Sequence, residues 1–219
     1  MNTRMTPPAT RTIYRFPALV LAAIGALTLP LNPVVALEHT TPEATASTWT
    51  VDGVHSAALF RVRHGPGAFW GRFNDVSGTA TFDPASISSL QLDIHIPIKG
   101  VDSGHPDLDK HLRSADFFNE IEFPEMVFTS TKVEPSGKDT FTLQGTVSLL
   151  GHKAPIEAEL TYLGMADTSK HVKSGFEATF TLKRSEFGMS YGITSGLGDD
   201  IRVIVALELV QVQALPDAQ

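Results

Sequence analysis

The segment Leu90–Ile98 reads LQLDIHIPI and places Leu90, Leu92, Ile94, Ile96 and Ile98 on one parity, with Gln91, Asp93, His95 and Pro97 on the other. Side chains alternate faces along a strand, so a segment of this kind buries one face and wets the other. The same period of two recurs in Val76–Asp83 (VSGTATFD) and in Ile201–Leu209 (IRVIVALEL). Extended along the chain, it gives eight strand candidates: Trp49–His64, Trp70–Asp83, Leu90–Ile98, Glu125–Val133, Asp139–Leu149, Ala154–Leu163, Gly175–Arg184 and Ile201–Val212. The joints hold turn residues, among them Gly65-Pro66-Gly67, Asp83-Pro84, Pro135-Ser136-Gly137 and Gly151-His152-Lys153. Short joints imply antiparallel neighbours. The chain is therefore all-β. Eight antiparallel strands close into a barrel able to hold one small ligand, or they pack as a sandwich whose inner faces interdigitate. Periodicity leaves that choice open.

The ends bound the folded part. Arg4, Arg11 and Arg15 precede an apolar stretch, Phe16–Leu31, and Val34-Val35-Ala36 offers small residues for cleavage before Leu37. This is the pattern of a secretory signal over residues 1–36, shorter than the ~20 apolar residues of a spanning helix. Residues 37–47 read as a flexible lead-in, 48–212 as the barrel and 213–219 as a tail. The chain has no Cys, so neither a lipid-modified cysteine nor a disulfide is available, and burial must hold the fold. Removing three Arg with the signal takes the net charge from −7 to −10. That balance argues against nucleic acid and anionic membrane surfaces as partners.

One connection has a different period. Asp102–Pro124 (DSGHPDLDKHLRSADFFNEIEFP) starts a helix at Pro106, with Asp107 and Asp109 in its first turn and Leu108 and Leu112 one turn apart. Phe117, Phe118 and Phe123 follow outside any strand, where exposure would be costly unless they cover an apolar cavity. A short helix and an aromatic lid loop are the expectation for this segment. Phe187–Asp200 (FGMSYGITSGLGDD) is long and glycine-rich for a hairpin.

Several patterns suggest chemistry. Gly188-Met189-Ser190-Tyr191-Gly192 matches G-x-S-x-G, but that motif works between a strand and a helix of a parallel sheet. In an all-β chain it reads first as a turn, with ester hydrolysis through Ser190 as the alternative function. His105, Asp107, Asp109 and His111 resemble part of a metal site, and no second cluster supplies further ligands; helix-start acids and a solvated His explain them equally well. In the first strand Ser56, Ala58, Phe60, Val62 and His64 share one face, while His55, Arg61 and Arg63 share the other. His64 thus ends an apolar inner row, either as a head-group contact or as a plug satisfying buried backbone. His95 shares parity with Gln91 and Asp93 and should face water.

These pieces also resemble a known family. Trp49-Thr50-Val51-Asp52 with His55-Ser56, Phe60–His64, Gly71-Arg72-Phe73, and Val76-Ser77-Gly78 are similar to the opening of the YceI-like family. His111–Phe118 (HLRSADFF), Pro124–Ser130 (PEMVFTS), Gly145, Leu149, Gly151 and Gly198-Asp199-Asp200-Ile201 continue the resemblance through nearly all of Trp49–Gln211. The resemblance implies an eight-stranded, lipocalin-like antiparallel barrel with a helix in the long connection. It implies an apolar tunnel for one long-tailed amphiphile, a polyisoprenoid, an isoprenoid quinone or a fatty-acid amide, held without catalysis and without a catalytic cofactor or metal. It further implies a periplasmic protein, not inserted in the membrane after signal cleavage, with a homodimer as the assembly seen among relatives. The candidate ligand-binding residues are then Phe60, Val62, His64, Phe73, Ile94, Leu108, Leu112, Phe117, Phe118, Phe128, Phe180 and Phe187. The negative charge favours a neutral head group, unless Arg72, Arg113 or Lys183-Arg184 form a local basic patch.

Overall fold

The computed structural model describes residues 46–168 and 170–212. The signal expected over residues 1–36, residues 37–45 of the expected lead-in and the expected 213–219 tail lie outside them. Eleven strands form one antiparallel sheet: β1 (Ser47–Val51), β2 (Ala57–His64), β3 (Gly67–Phe73), β4 (Ser77–Asp83), β5 (Ser86–Pro97), β6 (Val101–Asp102), β7 (Glu125–Pro135), β8 (Thr140–Leu149), β9 (His152–Asp167), β10 (Val172–Lys183) and β11 (Leu197–Gln211). Eight of them close a ring in the order β1-β4-β5-β7-β8-β9-β10-β11, and the pairing of Trp49 with Gln211 and of Val51 with Leu209 shuts it. The closed barrel is thus the correct alternative, and no sandwich forms.

Each of the first two strand candidates is in fact two strands. Trp49–His64 breaks at Asp52, whose Oδ1 accepts from the Val54 N–H to make a tight turn. Trp70–Asp83 breaks at residues 74–76. Consequently β1 and β2 both pair with β11, end to end along its length, and β2, β3 and β6 form a flap that continues the wall beside the ring. Ser47, read as lead-in, already pairs with Phe82 as the first residue of β1.

The inward parity of every strand is apolar. At the end of the ring where β1 enters, Trp49 stacks on Phe82 at 4.8 Å and Phe82 meets Phe176 edge-on at 5.5 Å, with Tyr162 5.2 Å from Phe176. Trp49 and Phe82 are fully buried, so this cluster is a floor. Outside the floor, Lys173 Nζ joins Glu208 and Asp52, 3.3 Å from the Asp52 carboxylate, and links β10, β11 and the turn after β1. Asp52, Lys173 and Glu208 thereby stitch the region where the ring closes.

The opposite end is the mouth. It is bounded by the β2–β3 turn at Gly65, the β8–β9 turn at Leu150-Gly151 and the long connection from β10 to β11. The helix α1 (Pro106–Leu112) and the residues after it lie here. Pro106 occupies the first helical turn, and Asp109 accepts from the Ser103 N–H at 2.7 Å and from its hydroxyl, fixing the helix entry. The Ile98 N–H donates to the Pro124 carbonyl at 2.8 Å, tying the two ends of the excursion together.

Candidate functional site

A cavity of about 860 Å³ runs between the aromatic floor and the mouth. Leu92, Ile94 and Ile96 of β5, Met126 and Phe128 of β7, Leu143 and Val147 of β8, Ala158 and Leu160 of β9, Phe176, Ala178 and Phe180 of β10, and Val203, Val205 and Leu207 of β11 line it. These are the inward-facing residues of consecutive strands, so the period of two in the sequence becomes the wall. A cavity of this size lies within the roughly 300–1,000 Å³ range of small-molecule sites. By proportion to the ~150 Å³ apolar cavity that accepts benzene, it has room for a chain of roughly 30 carbons.

Eleven of the twelve candidate residues line this cavity: Phe60, Val62, His64, Phe73, Ile94, Leu108, Leu112, Phe117, Phe118, Phe128 and Phe180. Phe187 does not. The 3₁₀ turn Arg184–Phe187 breaks the strand's alternation, so Arg184 and Met189 reach the cavity while Phe187 is fully buried in the surrounding core. His64 stands exposed at the rim, so it is no buried plug.

Aromatic side chains of the excursion close the side and top. Phe118 is wedged edge-on against Phe73 at 5.3 Å and Phe60 at 6.3 Å, sealing the flap. Phe117, His111 and Tyr191 form a triangle with ring separations of 5.0, 5.3 and 5.2 Å, which joins the helix to the β10–β11 connection across the mouth. Edge-to-face pairs of this kind contribute roughly 0.5–1.5 kcal/mol beyond their buried area. Tyr191 is half exposed, as a rim residue must be. Phe123 packs on the β8–β9 turn: a Cβ on Gly151, whose φ is +74°, would meet its ring at 2.9 Å.

Polar groups in the lining are confined to the mouth: His64, His111, Arg184, Tyr191 and Ser195. Arg184 is only 2 % exposed. It donates from Nε to the Gly198 carbonyl at 2.7 Å, from Nη1 to Met189 at 3.1 Å and from Nη2 to Leu197 at 3.4 Å. Burial lowers its pKa, with Asp199 opposing the shift. A guanidinium remains charged, so Arg184 holds the connection in shape and puts a positive charge near the mouth. The Asp199 carboxylate accepts from the Ser185 N–H and hydroxyl, and these bonds lower its own pKa. Met189 and Tyr191 are not legible in the sequence as lining residues, and Arg184 reads there only as half of a basic pair, because a glycine-rich connection has no period to mark which residues turn inward.

Two of the other charge candidates are otherwise engaged, and Arg72 is exposed on the outer face of β3, away from the cavity lining. Arg113 pairs with Glu120 at 3.4 Å and Lys183 with Asp200 at 2.7 Å. His111 Nε2 lies 2.9 Å from Asp116, and Asp109 is held by Ser103, so the helix does not gather a metal site from these residues. His95 is partly exposed on the outer face, between Asp93 and Glu125, as its parity requires. Ser190 is exposed, does not line the cavity and, among the described residues, makes no side-chain hydrogen bond to a His. The flanking chain is turn and 3₁₀ structure, not the strand and helix of a nucleophile elbow.

Comparison with known proteins agrees with this architecture. The YceI-like domain model matches residues 49–209. Protein YceI of Salmonella arizonae is 35% identical over 185 residues, covering 81% of this chain and 94% of that protein, and Protein YceI of Salmonella paratyphi B matches equally. Among solved structures, the Campylobacter jejuni YceI protein superposes with a TM-score of 0.60 at 31% identity, over 65% of this chain and 85% of that one. Burkholderia cenocepacia BcnA superposes with a TM-score of 0.64 at 21% identity, over 72% and 98%. A polyisoprenoid binding domain from Saccharophagus degradans, implicated in plant cell wall breakdown, does so at 0.60 with 15% identity, over 75% and 98%. The last two likenesses are of fold. With its family model spanning nearly the whole barrel and curated relatives matched along almost their full length, this chain belongs to the YceI-like family.

Proposed function

We propose that this protein binds one long-tailed isoprenoid amphiphile, tail in the barrel and head group at the mouth, and carries or stores it in the periplasm after signal cleavage. The observation that carries the proposal is the long apolar cavity with polar groups only at its open end. Burying roughly 15 tail carbons gains about 12 kcal/mol gross, at about 0.8 per methylene, from which association and ordering costs are subtracted. The family membership and the polyisoprenoid binding domain of the same fold support an isoprenoid tail. The rim offers hydrogen bonds from His64 and Tyr191, while the donors of Arg184 and the Ser195 hydroxyl face backbone carbonyls. That chemistry suits a neutral acceptor head, such as a quinone or amide, better than a pyrophosphate. No catalytic step is assigned, and the lipid is ligand rather than cofactor.

The test is native mass spectrometry of protein purified from its own host, followed by solvent extraction and identification of the lipid. One equivalent of an isoprenoid lipid is expected. Protein that carries none, and that takes up neither added quinone nor added prenol, would overturn the proposal.

A further inference from the structure

The outer face of the β11–β2–β3 flap carries a cluster that the cavity does not use. Arg61 of β2 is the direct cross-strand partner of both Arg202 on β11 and Trp70 on β3. Arg63 and Arg72 flank this row on the same outward parity. All four Arg are exposed, and Trp70 is 46% exposed. Among the described residues none of the four forms an ion pair. The nearby acids are engaged elsewhere. Asp102, opposite Arg72 in the ladder, accepts from Asn74 and the Gly104 N–H; Asp199 accepts from Ser185; Asp200 pairs with Lys183. A chain of net charge −7 thus concentrates unpaired positive charge around an exposed indole.

Position gives the cluster meaning. The β2–β3 turn is part of the mouth, and His64, Gly65 and Gly67 line the cavity. At about 3.3 Å per residue along a strand, Arg61 and Trp70 lie roughly 10 Å from that rim. Arginines bind anionic head groups, and an indole prefers the boundary between head groups and acyl chains. We propose that this flap is the docking face for an anionic phospholipid surface, which brings the mouth against the bilayer for lipid exchange. The proposal rests on the lipid-binding reading above. It also overrides, locally, the expectation from net charge that anionic membranes are not partners: charges beyond a Debye length of about 10 Å are screened, so the patch and not the total decides.

The test is co-sedimentation of the full mature protein with vesicles of phosphatidylcholine alone or with 30% phosphatidylglycerol at 50 mM salt. Binding is expected only with the anionic vesicles, and should be lost at 300 mM salt. Trp49 is fully buried and is the only other tryptophan, so a blue shift of emission on binding reports Trp70. Arg61→Gln with Arg202→Gln should weaken binding about 25-fold, about fivefold for each charge removed near the surface. Trp70→Phe should abolish the blue shift while keeping salt-sensitive binding. No binding by the parent protein, equal binding by the double variant, or capture by polyglutamate with no vesicle binding would each overturn the proposal. Lipid extracted from the same variants separates the two ideas. A double variant that still holds its lipid but no longer sediments supports docking by the flap. A parent protein without lipid in its cavity bears on the binding reading instead.

Discussion

Gly71 shows how closely the cavity wall is fitted residue by residue. A Cβ at this inward-facing position would stand 2.3 Å from Phe60 Cζ, so the Phe60 ring lies over the bare backbone. Gly71→Val should drive that ring off its partners Phe73 and Phe118 and into the cavity, costing about 1–3 kcal/mol as overpacking does and reducing the lipid held per molecule. A thermal melt and the extracted lipid-to-protein ratio check both parts. Arg184 makes a different case. In sequence, Lys183-Arg184 reads as a basic pair for a charged head group; in the fold only Lys183 is exposed, and Arg184 is turned in by the 3₁₀ turn to three carbonyls. Arg184→Met keeps the stem but strands buried acceptors, at roughly 1–3 kcal/mol for a group left unsatisfied. The urea midpoint should fall accordingly, and Arg184→Lys should recover only part of it, since an ammonium cannot span the same fork of acceptors.

At the level of elements, the strands were legible and their ends were not. Leu90–Pro97 sits inside β5 and Ile98 opens the 3₁₀ turn that follows it, with Leu90, Leu92, Ile94 and Ile98 buried and Ile96 half-buried, because alternation is written into the residues themselves. The breaks at Asp52 and at residues 74–76 are marked in the sequence only by a switch of parity, from Trp49 and Val51 to Ala58, Phe60 and Val62, and from Gly71 and Phe73 to Ala80 and Phe82; the Asp52 turn and the pairing with different stretches of β11 and β4 separate the pieces. The excursion with α1 was legible as a lid because its period and its phenylalanines differ from everything around it. Its latch was not, since Tyr191 lies about eighty residues away and meets Phe117 and His111 only in three dimensions. Tyr191→Ala should therefore release lipid faster, with a stability change of no more than about 3 kcal/mol, the upper value for the two aromatic pairs it makes. Transfer of a fluorescent prenol to acceptor vesicles measures the release rate; an unchanged rate would mean that the triangle does not gate the mouth. Phe118→Ala, by contrast, removes a buried wedge and should cost about 3–5 kcal/mol in a melt, as buried aromatic truncations do.

For the whole molecule, the floor and the mouth answer to different variables. Below the floor, the hydrogen bond from His55 holds the Asp52 carboxyl down to about 2 from its ordinary 3.8, with further help from Lys173 against the opposing effect of burial. A lowered folded-state pKa gives stability that is present above pH 4 and lost as pH falls from about 4 to 2. At 1.36 kcal/mol per pKa unit, and allowing for solvent screening, that is about 1–2 kcal/mol. Urea midpoints at pH 5 and pH 2.5 should show Asp52→Asn losing less between the two than the parent. Above the floor, the length of the cavity sets which tails fit. Ala178 lies between Phe176 and Phe180 on the inward face of β10, beside Leu160 and Val205, so its small side chain leaves the lower cavity open. Ala178→Leu places three more carbons where the tail would end. Apolar packing has no directionality, so the wall can discriminate length but little else, and each methylene denied burial costs about 0.8 kcal/mol, roughly fourfold in affinity. The extracted lipid should shift to shorter tails, while protein stripped of lipid should melt higher because the substitution fills space. An unchanged tail distribution in that variant would show that the tail does not reach Ala178, and would move the lower half of the barrel from ligand site to structure.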